Sequence, residues 1–292
     1  MLYDVIIIGR GPAGLSASLY TARGNMKTLI LGKESALEKG KVIENYCCTE
    51  AGSGKDLVEK GIDQARSFGA EIVEEEVLDI KKDKYFTITT DKQQFQGKAV
   101  IIATGKARTQ VPIDHLKRFE GNGVHYCAIC DGFFYTGKKV GVLGYKDYAV
   151  HELRDLERTT KDIILYTNGN ELQMSEGNKK YLQDKNISIH TKAIKSLAGD
   201  EFLEKIIFQD GSEETIEGLF VAYGSASSID FARKLGILIE NNNIKVDAEQ
   251  KTSIEGVFAA GDCTGGLTQV ATAVGQGAIA GQKAKAYVQN LN

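Results

Sequence analysis

The 292-residue sequence predicts an α/β fold made of two Rossmann-like domains, the second inserted in the first. Two observations predict it. A buried-strand pattern followed by a glycine turn and a helix occurs at the start of the chain and again around Gly144. Further strand-and-turn patterns lie on both sides of the second unit, so one unit interrupts the other. With 42% hydrophobic and 26% charged residues, the chain has the composition of a globular protein with a sizeable core.

The first unit begins with the apolar run at residues 5–8, which predicts a buried parallel strand. A G-x-G-x-x-G turn follows at Gly9, Gly11 and Gly14, then a helix at residues 15–23 and a strand at residues 28–31. In this pattern the second glycine lets the backbone approach a pyrophosphate. The acidic residue expected for the ribose is displaced to Glu34 or absent. A glycine-rich turn of another α/β protein is the alternative interpretation.

The later strand-and-turn patterns set the predicted domain boundaries. Residues 99–105 and 256–262 continue the first domain, whereas residues 139–143, Gly144 and a helix at residues 148–158 start another. We therefore predict a first domain of residues 1–112 and 246–292, and an inserted domain of residues 113–245. Pro112 and the three asparagines at 241–243 suit the two crossings.

Composition excludes several classes of function. The net charge of −3 shows no basic excess, so we expect no nucleic-acid partner. Five cysteines, an odd number, do not indicate a secreted disulfide framework. A single C-x-x-C, with no histidine at ligand spacing, predicts no metal site. Residues 5–8 are too few for a signal peptide, and no apolar stretch reaches the length of a membrane span, so we expect a cytoplasmic protein without a membrane partner.

The segment at residues 119–132 carries the most specific pattern: an aromatic residue, then G-x-G-V, then Y-C-A-I-C-D-G. It resembles the redox-active segment of the low-molecular-weight thioredoxin reductases, and the resemblance extends from the first glycine turn to residues 275–277. It implies an FAD-dependent enzyme that reduces thioredoxin, as a homodimer, through a disulfide between Cys127 and Cys130. A buried, inert cysteine pair is the alternative.

The resemblance also assigns roles. Cys130 faces the flavin, Cys127 attacks the disulfide of the substrate protein, and Asp131 protonates the leaving thiolate. Two cysteines at this spacing can close and reopen a small ring, which suits thiol–disulfide exchange. We expect His125 to be a surface or loop residue. The implied FAD contacts are Gly9, Gly11, Pro12, Ala13, Gly14, Glu34, Asn45, Ala103, Thr104, Gly105, Gly261, Asp262, Gln269 and Val270.

Two departures from the family pattern follow. The loop between Gly40 and Asn45 is shorter than usual, and Cys47 and Cys48 stand where the family has Pro-Gly. We expect these two cysteines to be small buried thiols, with a vicinal disulfide as the alternative, and Cys263 to serve packing.

The second departure lies in the inserted domain. NADPH-dependent members have G-x-G-x-x-A, but here the register is Gly144, Lys146 and Ala149, and no arginine occurs between Arg158 and Arg233. This resembles the ferredoxin-dependent flavin thioredoxin reductases, so reduced ferredoxin is the predicted donor. The alternatives are an NADPH-dependent reductase with an atypical nucleotide site, a non-catalytic flavin- or redox-sensing module, and a relative of ferredoxin–NADP reductases without the dithiol step.

Overall fold

The computed structural model describes residues 1–39, 42–106 and 111–291. The chain divides into two compact units, one formed by Met1–Arg108 and Ser227–Asn292 and the other by Thr109–Ala226. The shortened loop noted above falls partly outside the described residues, at positions 40 and 41.

The first unit begins with eight strands and two helices. In chain order these are β1 (Leu2–Ile8), α1 (Pro12–Ala22), β2 (Thr28–Leu31), β3 (Val42–Ile43), β4 (Gly52–Ser53), α2 (Gly54–Ser67), β5 (Glu71–Val73), β6 (Val77–Lys82), β7 (Phe86–Thr90) and β8 (Gln94–Ile102). The second unit contains β9 (Val124–His125), α3 (Ala128–Asp131), β10 (Val140–Leu143), α4 (Asp147–Leu156), β11 (Ile163–Tyr166), α5 (Glu176–Asp184), β12 (Ser188–His190), β13 (Ile194–Ala198), β14 (Lys205–Phe208), β15 (Glu213–Thr215) and β16 (Gly218–Val221). The chain then returns to the first unit with α6 (Ser228–Leu235), β17 (Ile239–Glu240), β18 (Asn243–Ile244), β19 (Val257–Ala259) and α7 (Val270–Asn290).

The first unit is built on a seven-stranded sheet. Its order is β5-β2-β1-β8-β7-β6, with β19 also pairing with β8. The pairs of β1 with β2 and β8, of β2 with β5, and of β8 with β19 are parallel, and β6 and β7 add an antiparallel arm. Because residues 5–8 are buried on both faces, this strand has the continuous apolar run of a central parallel strand. The predicted α/β class is confirmed in this unit.

The second unit has a smaller parallel sheet, in the order β12-β11-β10-β16-β9. A separate antiparallel sheet, β13-β14-β15, belongs to the same unit and was not predicted. The unit ends at Ala226, before the predicted boundary at residue 245, because the next helix, α6, packs against β6 of the first unit. In the described part of the chain, no helix combines the length and apolarity that crossing a bilayer would require.

The last helix, α7, closes the first unit against α1. A Cβ atom at Gly277 would lie 2.2 Å from the carbonyl oxygen of Ala13, and one at Gly281 would lie 2.4 Å from that of Ala17. The two backbones therefore approach at distances that only glycine permits. This contact joins the beginning of the chain to its final helix and frames the edge of the sheet described next.

Candidate functional site

The turn between β1 and α1 has the geometry of a phosphate cradle. Gly9 has φ +116°, and a Cβ atom there would lie 2.2 Å from the carbonyl oxygen of Ala103. A Cβ atom at Gly14 would lie 1.9 Å from the carbonyl oxygen of Gly9, so the third residue of α1 must be glycine for the helix to pack here. The N-cap of α1 is Gly11, which offers no capping side chain, and Pro12 and Ala13 form the first turn. The N–H groups at such a helix end are available to an anion.

Arg10 lies inside this turn and was missed by the sequence reasoning. It is 8% exposed, with Nη1 2.6 Å from Glu74 Oε1 and Nη2 3.4 Å from Glu38 Oε1. The only signal in the sequence is an arginine within a glycine turn. Its Nε is buried and has no hydrogen-bond partner among the described residues. A buried donor left in this state is costly, so it marks a place for a polar ligand.

The predicted ribose ligand, Glu34, is exposed and its carboxylate lies 2.9 Å from Lys39 Nζ. Glu38 instead accepts hydrogen bonds from the Ser35 N–H and from Arg10. An exposed ion pair of this kind is weak, so it leaves Glu34 accessible to a ligand. A ribose contact by Glu34 stays a prediction.

Two further predicted segments meet the turn at the same edge of the sheet. The parallel strands β1, β8 and β19 end together, since Ile8 and Ala259 both pair with Ile102. This places the turn of Ala103, Thr104 and Gly105 and the pair Gly261 and Asp262 beside the glycine cradle. Thr104 Oγ1 is buried without a hydrogen-bond partner among the described residues. Burial raises the pKa of the Asp262 carboxyl, with Lys106 opposing this in part.

The start of α7 gathers two more predicted residues. Asn45 Nδ2 donates to Gln269 Oε1 at 2.8 Å, and Gln269 is the N-cap residue of the helix that begins at Val270. The Gln269 side chain makes no capping hydrogen bond. The first N–H groups of α7 are therefore available to negative charge on a ligand.

The groups that line this edge of the first unit are suited to binding FAD. The edge offers a turn in which Gly9 and Gly14 have no room for a Cβ atom, two helix N-termini without side-chain caps, and two buried polar atoms that lack partners among the described residues. The pyrophosphate suits the α1 end and a reducible ring system suits the α7 end.

The second unit holds the Cys127–Cys130 disulfide. Cys127 is the N-cap residue of α3 and its Sγ accepts a hydrogen bond from the Cys130 N–H at 3.2 Å. That donor would also stabilise a thiolate on Cys127. The buried Glu152 carboxylate accepts the Ala128 N–H at 2.8 Å and so anchors the same turn to α4. Cys127 is only 2% exposed, whereas Cys130 is exposed.

Next to the disulfide, Asp131 has a partner that was placed wrongly from the sequence. His125 is not a surface or loop residue: it lies in β9 and is 8% exposed. Its Nδ1 is 3.1 Å from Asp131 Oδ2 and its Nε2 is 2.7 Å from the Tyr135 hydroxyl. The error arose because burial of a short strand depends on its pairing with β16, which has no local sequence signal.

The turn between β10 and α4 corresponds to the phosphate cradle but differs in chemistry. Lys146 is the N-cap residue of α4 and Asp147 is its first residue. The buried Asp147 carboxylate accepts hydrogen bonds from the Ser175 N–H at 2.9 Å, from the Ser175 hydroxyl at 2.9 Å and from Asn178 Nδ2 at 2.7 Å. After β11, Asn168 Oδ1 accepts the Ile194 N–H at 2.7 Å, so this side chain is used within the fold.

The remaining cysteines divide between two environments. Cys47 and Cys48 are exposed, with their Sγ atoms 3.2 Å apart, so the expectation of buried thiols was wrong. They lie in the loop that connects β3 to β4 rather than in a core strand, which explains the exposure. Cys263 is buried and its Sγ contacts the carbonyl oxygens of Ile102 and Ala260, as expected for a packing residue. Burial raises the pKa of the Cys263 thiol to about 12, so it stays protonated.

One group of potential metal ligands occurs among the described residues. Ligand atoms of His151, Glu152 and Asp155 lie within 4.8 Å of one another on α4. Glu152 already accepts the Ala128 N–H, which gives this carboxylate a role in the fold.

Comparison with known proteins follows the same outline. Residues 3–277 match the family of pyridine nucleotide-disulphide oxidoreductases. The thioredoxin reductases of Listeria innocua and Bacillus subtilis are 32% and 33% identical, each over 99% of this chain and over 95% and 96% of their own lengths. The crystal structure of the atypical thioredoxin reductase TRi from Desulfovibrio vulgaris Hildenborough is 39% identical, with a TM-score of 0.95 and 98% coverage of both chains. A ferredoxin-flavin thioredoxin reductase from Clostridium acetobutylicum is 31% identical, with a TM-score of 0.72, covering 99% of this chain and 98% of its own.

Proposed function

The chain belongs to the pyridine nucleotide-disulphide oxidoreductase family, and from this premise we propose a thioredoxin reductase that takes its electrons from reduced ferredoxin and not from NADPH. The family and the relatives make it an FAD-binding oxidoreductase of thioredoxin reductase type. The electron donor, the roles of the site residues and the assembly as a homodimer are the parts that we propose.

The turn at the start of α4 is the single observation that carries the donor assignment. A dinucleotide needs a backbone that can approach its pyrophosphate, but Lys146 puts a side chain at that position. The buried Asp147 carboxylate lies in the first turn of the helix, where the phosphates would bind. The negative charges of this carboxylate and of a bound phosphate would repel each other. The N-terminus of α4 therefore disfavours phosphate, whereas the N-terminus of α1 attracts it.

The region after β11 gives no compensation. NADPH carries a 2′-phosphate that arginine recognises bidentately. The side chain of Asn168 is engaged by the Ile194 N–H, and no arginine lies between Arg158 and Arg233. Each hydrogen bond to a charged group contributes about 1.5–3 kcal/mol, so losing two weakens binding by about 100-fold or more.

Reduced ferredoxin makes none of these demands. A protein that donates one electron at a time needs access to the flavin edge and no nucleotide pocket. A solved relative at 31% identity is a ferredoxin-flavin thioredoxin reductase, which supports the same donor for this chain.

We assign the FAD to the first unit. The proposed contacts are Gly9, Gly11, Pro12, Ala13, Gly14, Glu34, Asn45, Ala103, Thr104, Gly105, Gly261, Asp262, Gln269 and Val270. Bound FAD would supply a carrier that accepts electrons singly and delivers them as a pair.

Cys127, Cys130 and Asp131 carry out the disulfide chemistry in this proposal. Two electrons and two protons convert the Cys127–Cys130 disulfide to a dithiol. The Cys127 thiol then gives its proton to Asp131 and attacks one sulfur of the thioredoxin disulfide as a thiolate, and the departing thiolate takes that proton from Asp131. Cys130 next gives its proton to Asp131 and attacks the Cys127 sulfur, which restores the disulfide and releases the second thioredoxin thiolate, and this thiolate takes that proton from Asp131. Because Cys127 is nearly buried, this step requires that its Sγ become accessible.

Anaerobic reduction of the flavin tests the donor. The purified protein is mixed separately with NADPH, NADH and enzymatically reduced ferredoxin, with dithionite as the control that its flavin can be reduced. We expect bleaching of the flavin absorbance by ferredoxin and dithionite only. Fast, stoichiometric bleaching by micromolar NADPH would favour the NADPH-dependent alternative, and failure of ferredoxin to bleach would contradict our assignment.

The cysteine assignment has its own test. Cys127→Ser and Cys130→Ser should each abolish thioredoxin reduction, whereas Cys47→Ser and Cys48→Ser serve as exposed-cysteine controls with unchanged turnover. Full turnover in either of the first two variants would exclude the pair as the route. Analytical ultracentrifugation of the same samples checks the proposed homodimer.

A further inference from the structure

His125 forms a hydrogen-bonded chain between a buried tyrosine and the acid beside the dithiol. Its Nε2 contacts the Tyr135 hydroxyl at 2.7 Å and its Nδ1 contacts Asp131 Oδ2 at 3.1 Å. Asp131 follows Cys130 directly in the chain. Every atom of this arrangement belongs to the second unit, and the mechanism described above does not use the histidine or the tyrosine.

The imidazole ring is held in one orientation. It stacks on Phe220 with the ring centroids 5.4 Å apart and an angle of 28° between the planes, and Phe220 is its cross-strand partner in β16. Tyr135 meets the same ring edge to face at 5.2 Å. With both nitrogens bonded and Phe220 stacked on the ring, the ring cannot turn without breaking two hydrogen bonds.

The Tyr135 hydroxyl forms one end of this series of hydrogen bonds. Burial, followed by the charges of Asp131 and Glu217, raises the pKa of Tyr135 to about 12, so the hydroxyl keeps its proton at neutral pH. It can donate to Nε2 of a neutral imidazole or accept from an imidazolium. Because an ionised carboxylate only accepts hydrogen bonds, its contact with Nδ1 at 3.1 Å requires a hydrogen on that nitrogen. The charged groups that act on Tyr135 include Asp131 and Glu217, and Lys138 Nζ lies 5.6 Å from the centre of the Tyr135 ring.

We infer that His125 is a positioning residue for Asp131, which it holds beside the dithiol and whose charge it compensates while the thiols exchange. This rests on the proposed role of Asp131. A proton that leaves Asp131 for the departing thiolate is returned when Cys130 loses its own, so the exchange remains balanced. During the interval the imidazole donates its Nδ1 hydrogen to the carboxylate, and this lowers the repulsion between carboxylate and thiolate.

Two conservative substitutions separate the two hydrogen bonds. In His125→Asn the amide can reach the position of Nδ1 and keep the contact with Asp131. In His125→Gln the amide reaches toward Tyr135 and the contact with Asp131 is lost. His115→Asn is the matched control, because His115 is an exposed residue of the same unit with φ +65°, a conformation that asparagine tolerates.

The readout is the rate of iodoacetamide alkylation at Cys127 and Cys130 in the reduced holoenzyme, followed by mass spectrometry from pH 5 to 9. Without its donor, Asp131 repels the thiolate and the midpoint of alkylation moves to higher pH. We expect His125→Gln to alkylate about threefold to tenfold more slowly at pH 7, a shift of about half to one pH unit. His125→Asn should fall between His125→Gln and the wild type, and His115→Asn should match the wild type.

This measurement needs neither an electron donor nor thioredoxin, so it separates the inference from the proposed function. Thioredoxin turnover provides the second readout, with kcat lowered in His125→Gln and KM unchanged. If His125→Gln follows the wild-type pH profile, or if both variants lose equally in rate and in Tm, the inference is overturned. Should neither variant fold, Tyr135→Phe must show a smaller upward shift of the midpoint, and an unshifted profile there overturns it as well.

Discussion

The two units of this protein use the same strand–turn–helix element for different purposes. In the first, the turn from β1 to α1 has Gly11 as the helix N-cap and Pro12 in the first turn. In the second, the turn from β10 to α4 has Lys146 and Asp147 at the corresponding positions. Both keep the first glycine, since a Cβ atom at Gly144 would lie 2.3 Å from the carbonyl oxygen of Ala222. That glycine serves the fold, and the positions after it decide whether the helix end binds phosphate.

The charged groups at the two helix ends show what has changed. Helix α1 has no acidic side chain in its first turn, so its first N–H groups stay available to a ligand. Helix α4 has a buried carboxylate that accepts three hydrogen bonds from Ser175 and Asn178 at the start of α5. The helix end that could have served a ligand is thereby used for internal stability.

The largest effect is expected from Gly11→Val. A Cβ atom at Gly11 would be 3.3 Å from Ser35 Oγ, a tight contact that a small movement of the serine side chain relieves, so the unit should still fold. The new side chain occupies the phosphate position and costs two or more hydrogen bonds, which weakens FAD binding by about 100-fold or more. The flavin absorbance of the purified protein measures this. Lys146→Val, the matching change in the second unit, should leave the flavin content unchanged, and equal losses in both would refute the contrast.

A smaller effect, on stability, is expected from Asp147→Ala. It leaves the Ser175 and Asn178 donors without their acceptor, at a cost of about 2–4 kcal/mol. Tm should then fall by roughly 5–10 °C in a thermal unfolding scan. The counterpart Pro12→Ala should cost about 1 kcal/mol or less, because only a backbone restriction is removed. A larger loss from Pro12→Ala than from Asp147→Ala would show that the first turn also serves stability.

Lys146→Gly restores the glycine of a dinucleotide turn and sharpens the comparison further. Because the Asp147 carboxylate remains, we expect NADPH affinity to rise by about tenfold at most, equivalent to about 1.4 kcal/mol. Isothermal titration calorimetry against the wild type measures the change. An increase of several orders of magnitude would mean that the lysine alone excludes the nucleotide.

The smallest effect concerns Asp262. Burial raises the pKa of this carboxyl in the folded protein, so its contribution to stability is present at low pH and is lost as pH rises through the folded pKa. At pH 7 the FAD-free Asp262→Asn variant should therefore unfold at a slightly higher temperature than the FAD-free wild type, and the difference should vanish in acid. A variant that is less stable than the wild type at pH 7 would contradict this sign.

Strands and helices that are marked by a local run of apolar residues could be predicted from the sequence. The buried β-branched run of β1 and the strand at residues 28–31 were both recognised, because a central parallel strand is apolar on both faces. The first helix was placed too late, at residue 15, although Pro12 is a favoured first helical residue. The strand-and-turn patterns at residues 99–105 and 256–262 were likewise recognised, and they contain the ends of β8 and β19.

The environments of single polar residues were harder to predict, because they depend on distant parts of the chain. Arg10 pairs with Glu74, which is 64 residues away, and the sequence around Arg10 does not indicate that partner. His125 is buried against Phe220 of the paired strand β16, and Cys47 and Cys48 are exposed because they lie in the loop between β3 and β4. Among the cofactor contacts, the glycines were predictable from motif spacing, whereas the bond between Asn45 and Gln269 required the folded sheet.

The close contact of α7 with α1 has a consequence for biosynthesis. Gly277 and Gly281 lie against Ala13 and Ala17, and the pair Gly261 and Asp262 completes the edge that Gly9 begins. The first unit can therefore complete its folding only after α7 has been synthesised. The second unit, whose residues are contiguous, can fold earlier. Incorporation of the flavin is thus a late event in the life of the nascent chain, and truncation of α7 should yield a colourless protein that retains the folded second unit.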